Sequence, residues 1–259
     1  MRELKSILID KYILAALQED MTSGDITTDA ILKDERAEVD LRAKDKGILA
    51  GLDVFKRVFE ILDEDVSFEF YFSDGDEVNN KDLIGKISGR AKAILEGERT
   101  ALNFLQRMSG IATYTKKMLD ALDSDHVKIL DTRKTTPNMR LFEKYAVTLG
   151  GGYNHRYNLS DGIMLKDNHI DAAGGIREAV EKVRRLNPFV KKIEVEVENF
   201  DQVREALEAK ADIIMLDNMD IEEIKEACKI INKRAIIECS GNISPVSYTH
   251  LTLPTNREV

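Results

Sequence analysis

The stretch KKIEVEVENFDQVREALEAKADIIMLDNMDIEEIKEACKIINKRAIIECS, residues 191–240, holds the pattern on which the fold reading turns. Its apolar runs KKIEVEV (191–197), ADIIMLD (211–217) and AIIECS (235–240) are short and rich in β-branched residues. Between them lie NFDQVREALEA and MDIEEIKEACKIIN, each with one apolar face at helical spacing. Strand-like runs alternating with such helices every 20 to 30 residues or so are the signature of βα units in a parallel sheet. Outward from this stretch, GIMLKD (162–167) with GGIREAVEKVRRL continues the rhythm, and VKILDT (127–132) reads as one more strand.

Nearer the start the rhythm changes. SILIDKYILAALQED has helical spacing, with Leu8, Ile13 and Leu17 among its apolar positions, and TSGDITTDAIL reads as a turn and capping segment. AEVDLRAKD and VSFEFYF alternate apolar and polar residues as half-buried antiparallel strands do, flanking an amphipathic helix in DVFKRVFEILDE. ERTALNFLQRMSGIATYTKKMLDAL is a long helical stretch with a break expected near Ser109-Gly110. The residues thus read as an α+β region followed by an irregular α/β barrel whose mouth is the active site.

The rhythm ends before the barrel closes. PVSYTHLTLPTNREV has neither helical nor βα periodicity, and VSYTHLTLPT (246–255) is also the in-frame translation of a transposon-type sequencing adapter. Residues 246–259 are therefore expected to be a non-native tail, leaving the barrel short of at least one strand. An unusual linker or terminal strand is the alternative.

Charge narrows the function classes. The formal net charge of −9 argues against a general nucleic-acid or anionic-membrane binder, so any anion site must be a local cluster of cations. Two cysteines, Cys228 and Cys239, cannot build a disulfide framework, which fits a cytoplasmic setting. The first twenty residues carry charges every few positions, unlike a signal peptide, and no run approaches the roughly 18 apolar residues of a membrane helix.

In parallel α/β architectures, chemistry collects at the carboxyl ends of the strands. Those ends read Asp131-Thr132-Arg133-Lys134, Lys166-Asp167-Asn168-His169, Glu194/Glu196, Asp217-Asn218 and Ser240-Gly241-Asn242. At predicted loops and strand ends between residues 131 and 170 fall the cations Arg133, Lys134, Arg156 and Lys166, with His155 and His169. Arg forks bind carboxylate or phosphate oxygens in pairs and Lys supplies a mobile charge, so together they suit a substrate with several negative groups. Solvated surface charge would account for any one of them alone. Glu194 and Glu196 alternate with Val195 and Val197, so both carboxylates share a strand face. A salt-bridge layer and a substrate role fit Glu194 equally, whereas Glu196 and Asp217 read as functional. Opposed cations and carboxylates suggest an anionic substrate with a sugar or Mg²⁺.

Seven segments in order add a resemblance: GDITTDAI (24–31), GERTALNFLQRMSGIAT (97–113), DTRKTTPNMRLFEKYAV (131–147), GGGYNHRYNLSDGIMLKDNHI (150–170), IEVEVEN (193–199), IIMLDNM (213–219) and ECSGNI (238–243). Together they resemble the nicotinate-nucleotide pyrophosphorylase, or quinolinate phosphoribosyltransferase, family across nearly all of residues 1–245. The resemblance implies an α/β fold of an N-terminal α+β sandwich domain (1–105) and an incomplete α/β barrel of parallel strands (106–245). It also implies a homodimer with shared active sites. The implied reaction makes nicotinate mononucleotide from quinolinate and phosphoribosyl pyrophosphate with Mg²⁺, releasing CO₂ and pyrophosphate in NAD biosynthesis.

Carried over to this sequence, Arg133, Lys134, Arg156 and Lys166 fall on substrate-binding cations, with Thr132 and His155 beside them. Lys134, Glu196 and Asp217 take the catalytic positions, the two carboxylates also serving ribose and Mg²⁺. Arg99 matches an arginine that reaches the neighbouring subunit's site, and Ser240, Gly241 and Asn242 resemble part of a phosphate loop. Family members usually continue with a further strand and second phosphate loop. Two other readings stay open. One is a molybdenum-transport-associated paralogue of the same fold; the other is a module that binds quinolinate or dimerises without turnover.

Overall fold

The computed structural model describes residues 4–124, 126–186 and 192–241. The chain divides into two compact units, one of Met1–Lys117 with Ile129–Asn154 and one of Met118–Lys128 with His155–Val259.

The first unit begins with α1 (Ser6–Asp20) and the short α2 (Ile26–Ile31), whose N-terminal amides at Thr27 and Thr28 are capped by Asp25. Then come β1 (Arg36–Arg42), β2 (Gly47–Ile48), α3 (Leu52–Leu62), β3 (Ser67–Phe70), β4 (Glu77–Val78) and β5 (Leu83–Arg90). The two period-two segments, β1 and β3, both pair antiparallel with β5, in the order β1-β5-β3. Val39 and Phe68 both meet Ile87 across the ladders. The buried stripe of α1 is Ile9, Ile13 and Leu17; Leu8 points outward and is 48% exposed.

Most of one long helix and all of a shorter one complete this unit. α4 (Ala91–Leu122) is continuous through Ser109-Gly110, against the expected break. Ser109 spends its hydroxyl on the segment before α3, accepting from Ala50 N at 3.0 Å, and the Gly110 backbone keeps helical geometry. A single glycine costs a helix about 1 kcal/mol, too little to break one whose other face is buried. α5 (Arg140–Leu149) sets Phe142 against Tyr12 and Phe104, with ring centroids 5.6 and 4.9 Å apart. That aromatic anchor groups 129–154 with the first unit.

The second unit is the repeating one: β6 (Ile163–Leu165), α6 (Asp167–Ala173), α7 (Ile176–Leu186), β7 (Ile193–Val197), α8 (Phe200–Glu208), β8 (Ile213–Asp217), α9 (Ile221–Ile231) and β9 (Ile236–Ser240). The strands form one parallel sheet in the order β6-β7-β8-β9. Asn199 caps α8, and Asp220 with Glu223 forms a capping box on α9. Leu165, Ile193, Val195, Val197, Ile214 and Leu216 join Val180, Val203, Ala206 and Ile224 of the helices in one core. The registers Met164↔Glu194, Glu196↔Met215 and Met215↔Glu238 place the alternate residues together on the other face.

VKILDT does not form the expected strand. Among the described residues only an isolated parallel bridge joins Leu130 to Tyr153. A parallel strand needs both faces covered, and Val127 and Leu130 are each more than a third exposed. Within the described residues the four-stranded sheet is open, and the tail expected from residue 246 lies outside them.

Two glycines make opposite predictions. A Cβ on exposed Gly110 meets nothing within 4 Å, whereas at Gly51, with φ of +102°, it would fall 2.7 Å from Met108 Sδ. Gly110→Ala should raise the unfolding free energy by about 0.5–1 kcal/mol and Gly51→Ala should lower it, read by urea denaturation. Equal effects of the same sign would contradict the two environments.

Candidate active site

The basic loop of the first unit is built on an inward-facing acid. Asp131 forms an ion pair with Lys144 of α5, and the two side chains are only 7% and 3% exposed. Asn154 Nδ2 donates to Asp131 Oδ2 at 2.6 Å and to the Lys144 carbonyl at 2.9 Å. The next residues turn outward. Thr132 Oγ1 accepts the Lys134 amide at 2.9 Å, Arg140 donates to Thr135 Oγ1 (3.1 Å) and to the Arg133 carbonyl (3.3 Å), and Glu143 accepts the Thr136 amide at 3.2 Å. Arg107 of α4 holds Glu143 through Nε at 3.0 Å.

The two adjacent cations are therefore supported from behind. Arg133 Nε is buried with no hydrogen-bond partner, and Lys134 is exposed with no carboxylate partner among the described residues. Arg99 is likewise exposed on α4 and forms no ion pair among them. Sequence reasoning missed Arg107, Arg140, Glu143, Lys144 and Asn154. The one available signal was charge on the buried side of α5, where Glu143 and Lys144 flank the Phe142 and Ala146 stripe.

In the second unit the polar face of the sheet carries the chemistry. Lys166 immediately follows β6 and pairs with Glu196 of β7, one rung beyond the Leu165↔Val195 register. Asp217 ends β8 opposite Ser240 of β9 and accepts from Asn218 Nδ2 at 2.8 Å. Gly241 has φ of +83°, and a Cβ there would come within 2.2 Å of Asn218 Oδ1, so the chain turns off β9 only with glycine. Asn242 lies outside the described residues. His169 accepts the Lys166 amide at Nδ1 (3.2 Å) as part of the α6 cap, a local structural task.

His155 and Arg156 lie across the same face. His155 Nε2 stands 3.1 Å from Glu194 Oε2 and 3.5 Å from Glu238 Oε2. Arg156 donates Nη1 to the Gly162 carbonyl at 3.0 Å and Nη2 to Met164 Sδ at 3.4 Å. Glu238 was missed in the sequence, although an acid in the middle of AIIECS is itself a signal. The paired carboxylates push the His155 pKa up to about 9, through hydrogen bonds first to Glu194 and then to Glu238. The Arg156 amide, donating to Nδ1 at 2.8 Å, opposes a second proton on the ring, and the hydrogen bonds to the two carboxylates outweigh it.

Two carboxylate sets could hold a cation. His155, Glu194 and Glu238 bring one ligand atom each within 4.8 Å of one another, but Nε2 holds the ring's proton between the two carboxylates and so offers no lone pair. Glu196 and Asp217, on neighbouring strands of the polar face, are hard oxygen donors of the kind Mg²⁺ takes alongside phosphate oxygens.

Comparison with known proteins covers both units. The family model for the N-terminal domain of quinolinate phosphoribosyl transferase matches residues 25–109, and that for its C-terminal domain matches 111–252. A Bacillus subtilis protein named probable nicotinate-nucleotide pyrophosphorylase (carboxylating) is 45% identical over 226 residues, 87% of this chain and 78% of the relative. A Methanocaldococcus jannaschii protein of the same name is 43% identical over 243 residues, 90% and 84% of the two chains. The crystal structure of NadC from Streptococcus pyogenes superposes with a TM-score of 0.94 at 50% identity, covering 97% of this chain and 90% of that one.

The His155 pairing has a sign. Its folded pKa of about 9 lies above the ordinary 6.5, so its stabilisation is complete below pH 6.5 and is lost as the pH rises through 9. The difference in unfolding temperature between wild type and His155→Gln should shrink across that window. A difference of constant size would exclude a charge-assisted pairing.

Proposed function

This chain belongs to the quinolinate phosphoribosyltransferase family, and from that premise we propose that it joins quinolinate to phosphoribosyl pyrophosphate. The products are nicotinate mononucleotide, CO₂ and pyrophosphate, a step of NAD biosynthesis. The observation that carries the reading is a pair of adjacent cations, Arg133 and Lys134, supported from behind yet given no anion, in a chain of net charge −9. Cations arranged in this way are complete only with an anionic ligand.

Quinolinate carries two neighbouring carboxylates. Arg133, Lys134, Arg156 and Lys166 are assigned to them, with Thr132 and His155 as hydrogen-bonding neighbours. Holding both carboxylates orients the ring nitrogen towards C1 of the ribose. As pyrophosphate departs, positive charge builds on the ribose ring, and Glu196 and Asp217 supply the fixed negative charge that stabilises it. The nitrogen lone pair forms the new bond to C1. The cationic ring then accepts the electron pair left when the 2-carboxylate departs as CO₂, and that carbon takes a proton. A covalent nucleophile has no part in this sequence. Lys134 is the catalytic cation because it is exposed and carries no carboxylate of its own.

Glu196 and Asp217 would hold Mg²⁺, which when bound neutralises part of the charge of the diphosphate group. Ser240, Gly241 and Asn242 are assigned to a phosphate, the first two at the carboxyl end of β9. The open parallel sheet is read as part of a barrel. No helix among the described residues is long and apolar enough to cross a membrane. Exposed Ile7, Ile26 and Ile31, with Leu95 one turn before Arg99 on α4, support a homodimer in which Arg99 serves the partner's site.

The purified chain should convert quinolinate and phosphoribosyl pyrophosphate to a mononucleotide in the presence of Mg²⁺. Binding of quinolinate without turnover would favour a binding module, and no binding at all would sink the assignment. Lys134→Ala should lower turnover on the order of a hundredfold or more; wild-type rates in that variant would remove Lys134 from the site. Arg99→Ala and Lys134→Ala, each inactive alone, should regain activity when mixed and allowed to exchange subunits. Persistent inactivity of exchanged mixtures would contradict shared sites.

A further inference from the structure

Glu194 is difficult to explain as a stabilising residue. Its side chain is 5% exposed, its Oε1 is buried with no hydrogen-bond partner, and its Oε2 meets His155. Burying a carboxylate is costly, and one oxygen left unsatisfied makes an apolar side chain of similar size the more stable choice at such a place. Glu238 reaches the same imidazole nitrogen from β9, with β8 lying between its strand and that of Glu194. Two carboxylates from strands that do not touch thus converge on one ring N–H.

What they hold is one end of a dipeptide. His155 is fixed over β7 and β9, while the next residue, Arg156, is tied to Gly162 just before β6 and to Met164 within it. With the ring neutral and its proton on Nε2, the Arg156 amide donates to the other nitrogen, so the imidazole and the peptide bearing the guanidinium are joined by a hydrogen bond as well as by the chain. Rotation of the ring would break both attachments.

We propose that Glu194 and Glu238 are positioning residues for quinolinate, sharing the Nε2–H of His155 so that the His155–Arg156 dipeptide is clamped across the sheet and the guanidinium of Arg156 is held for a substrate carboxylate. The inference rests on the assignment of Arg156 to quinolinate. Neither glutamate touches substrate; each acts through His155. The elevated pKa of His155 agrees with the geometry, since both carboxylates favour a proton on the nitrogen they face.

Glu238→Leu removes one acceptor. It should raise KM for quinolinate on the order of ten- to a hundredfold, the worth of a charge-assisted hydrogen bond, while kcat and KM for phosphoribosyl pyrophosphate change by no more than about threefold. Glu238→Gln, whose amide oxygen still accepts from Nε2–H, should recover most of that loss. General loosening would instead raise both KM values together, and that outcome, or an unchanged quinolinate KM, overturns the proposal.

Nitrogen-15 NMR of the wild-type chain gives a measurement that needs no folded variant of Glu238. The His155 resonance, identified by its loss in His155→Gln, should show Nε2 protonated. An unprotonated Nε2 overturns the clamp and would leave that nitrogen able to bind a metal ion instead. Should the wild type not turn over quinolinate, the functional assignment fails and the role in substrate positioning falls with it. The Nε2 resonance separates that case from a failure of the clamp itself.

Discussion

The buried ion pair of Asp131 with Lys144 is the constraint from which the first unit's basic loop takes its shape. Two charges at 7% and 3% exposure have given up most of their hydration, and such a pair is tolerable only when its remaining valences are filled. Asn154 fills part of them, bonding both to the acid and to the backbone of the lysine. Removing one partner from a buried pair strands the other, at about 3–5 kcal/mol. With Asp131 committed inward, the backbone after it runs outward over α5. Arg140 and Glu143 then pin that run at Arg133, Thr135 and Thr136. Two like-charged neighbours stay side by side because hydrogen bonds to the Arg133 carbonyl and from the Lys134 amide fix the backbone that carries them.

The second unit solves a different electrostatic problem. Parallel sheets are usually apolar on both faces, yet this one is apolar only where the helices cover it. Its other face carries Glu194, Glu196, Asp217 and Glu238 on adjoining strands, and so much negative charge needs counterweights. Lys166 meets Glu196, and the His155 ring lies between Glu194 and Glu238. Cations therefore enter this face from the segment before β6 and from the residue just after it, while the carboxylates come from β7, β8 and β9.

Much of this was legible in the sequence where period and burial agree. The alternation of Glu194, Val195, Glu196 and Val197 told both strand and face, and the helices between the later strands showed their apolar sides plainly. VKILDT misled because an apolar run says nothing of whether a second layer covers it, and Val127 and Leu130 remain exposed. Ser109-Gly110 misled because a local helix breaker was offset by burial along the rest of α4. Lys144 looked like any helix-surface charge, and only the folded chain puts Asp131 against it. The convergence of His155, Glu194 and Glu238 joins residues 39 and more positions apart and could not be read from spacing. The cations of the DTRK and NHR segments were legible as chemistry, but not the side chains that support them.

The alternation along β7 has one more consequence. A slip of one residue would turn Val195 and Val197 to the polar face and drive Glu194 and Glu196 into the helix-packed core. No half-measure exists, because side-chain direction in a strand is a two-valued quantity. The register that makes the sheet fold is thus the same register that presents its acids, and errors in strand pairing are screened out as instability before they can become errors in chemistry.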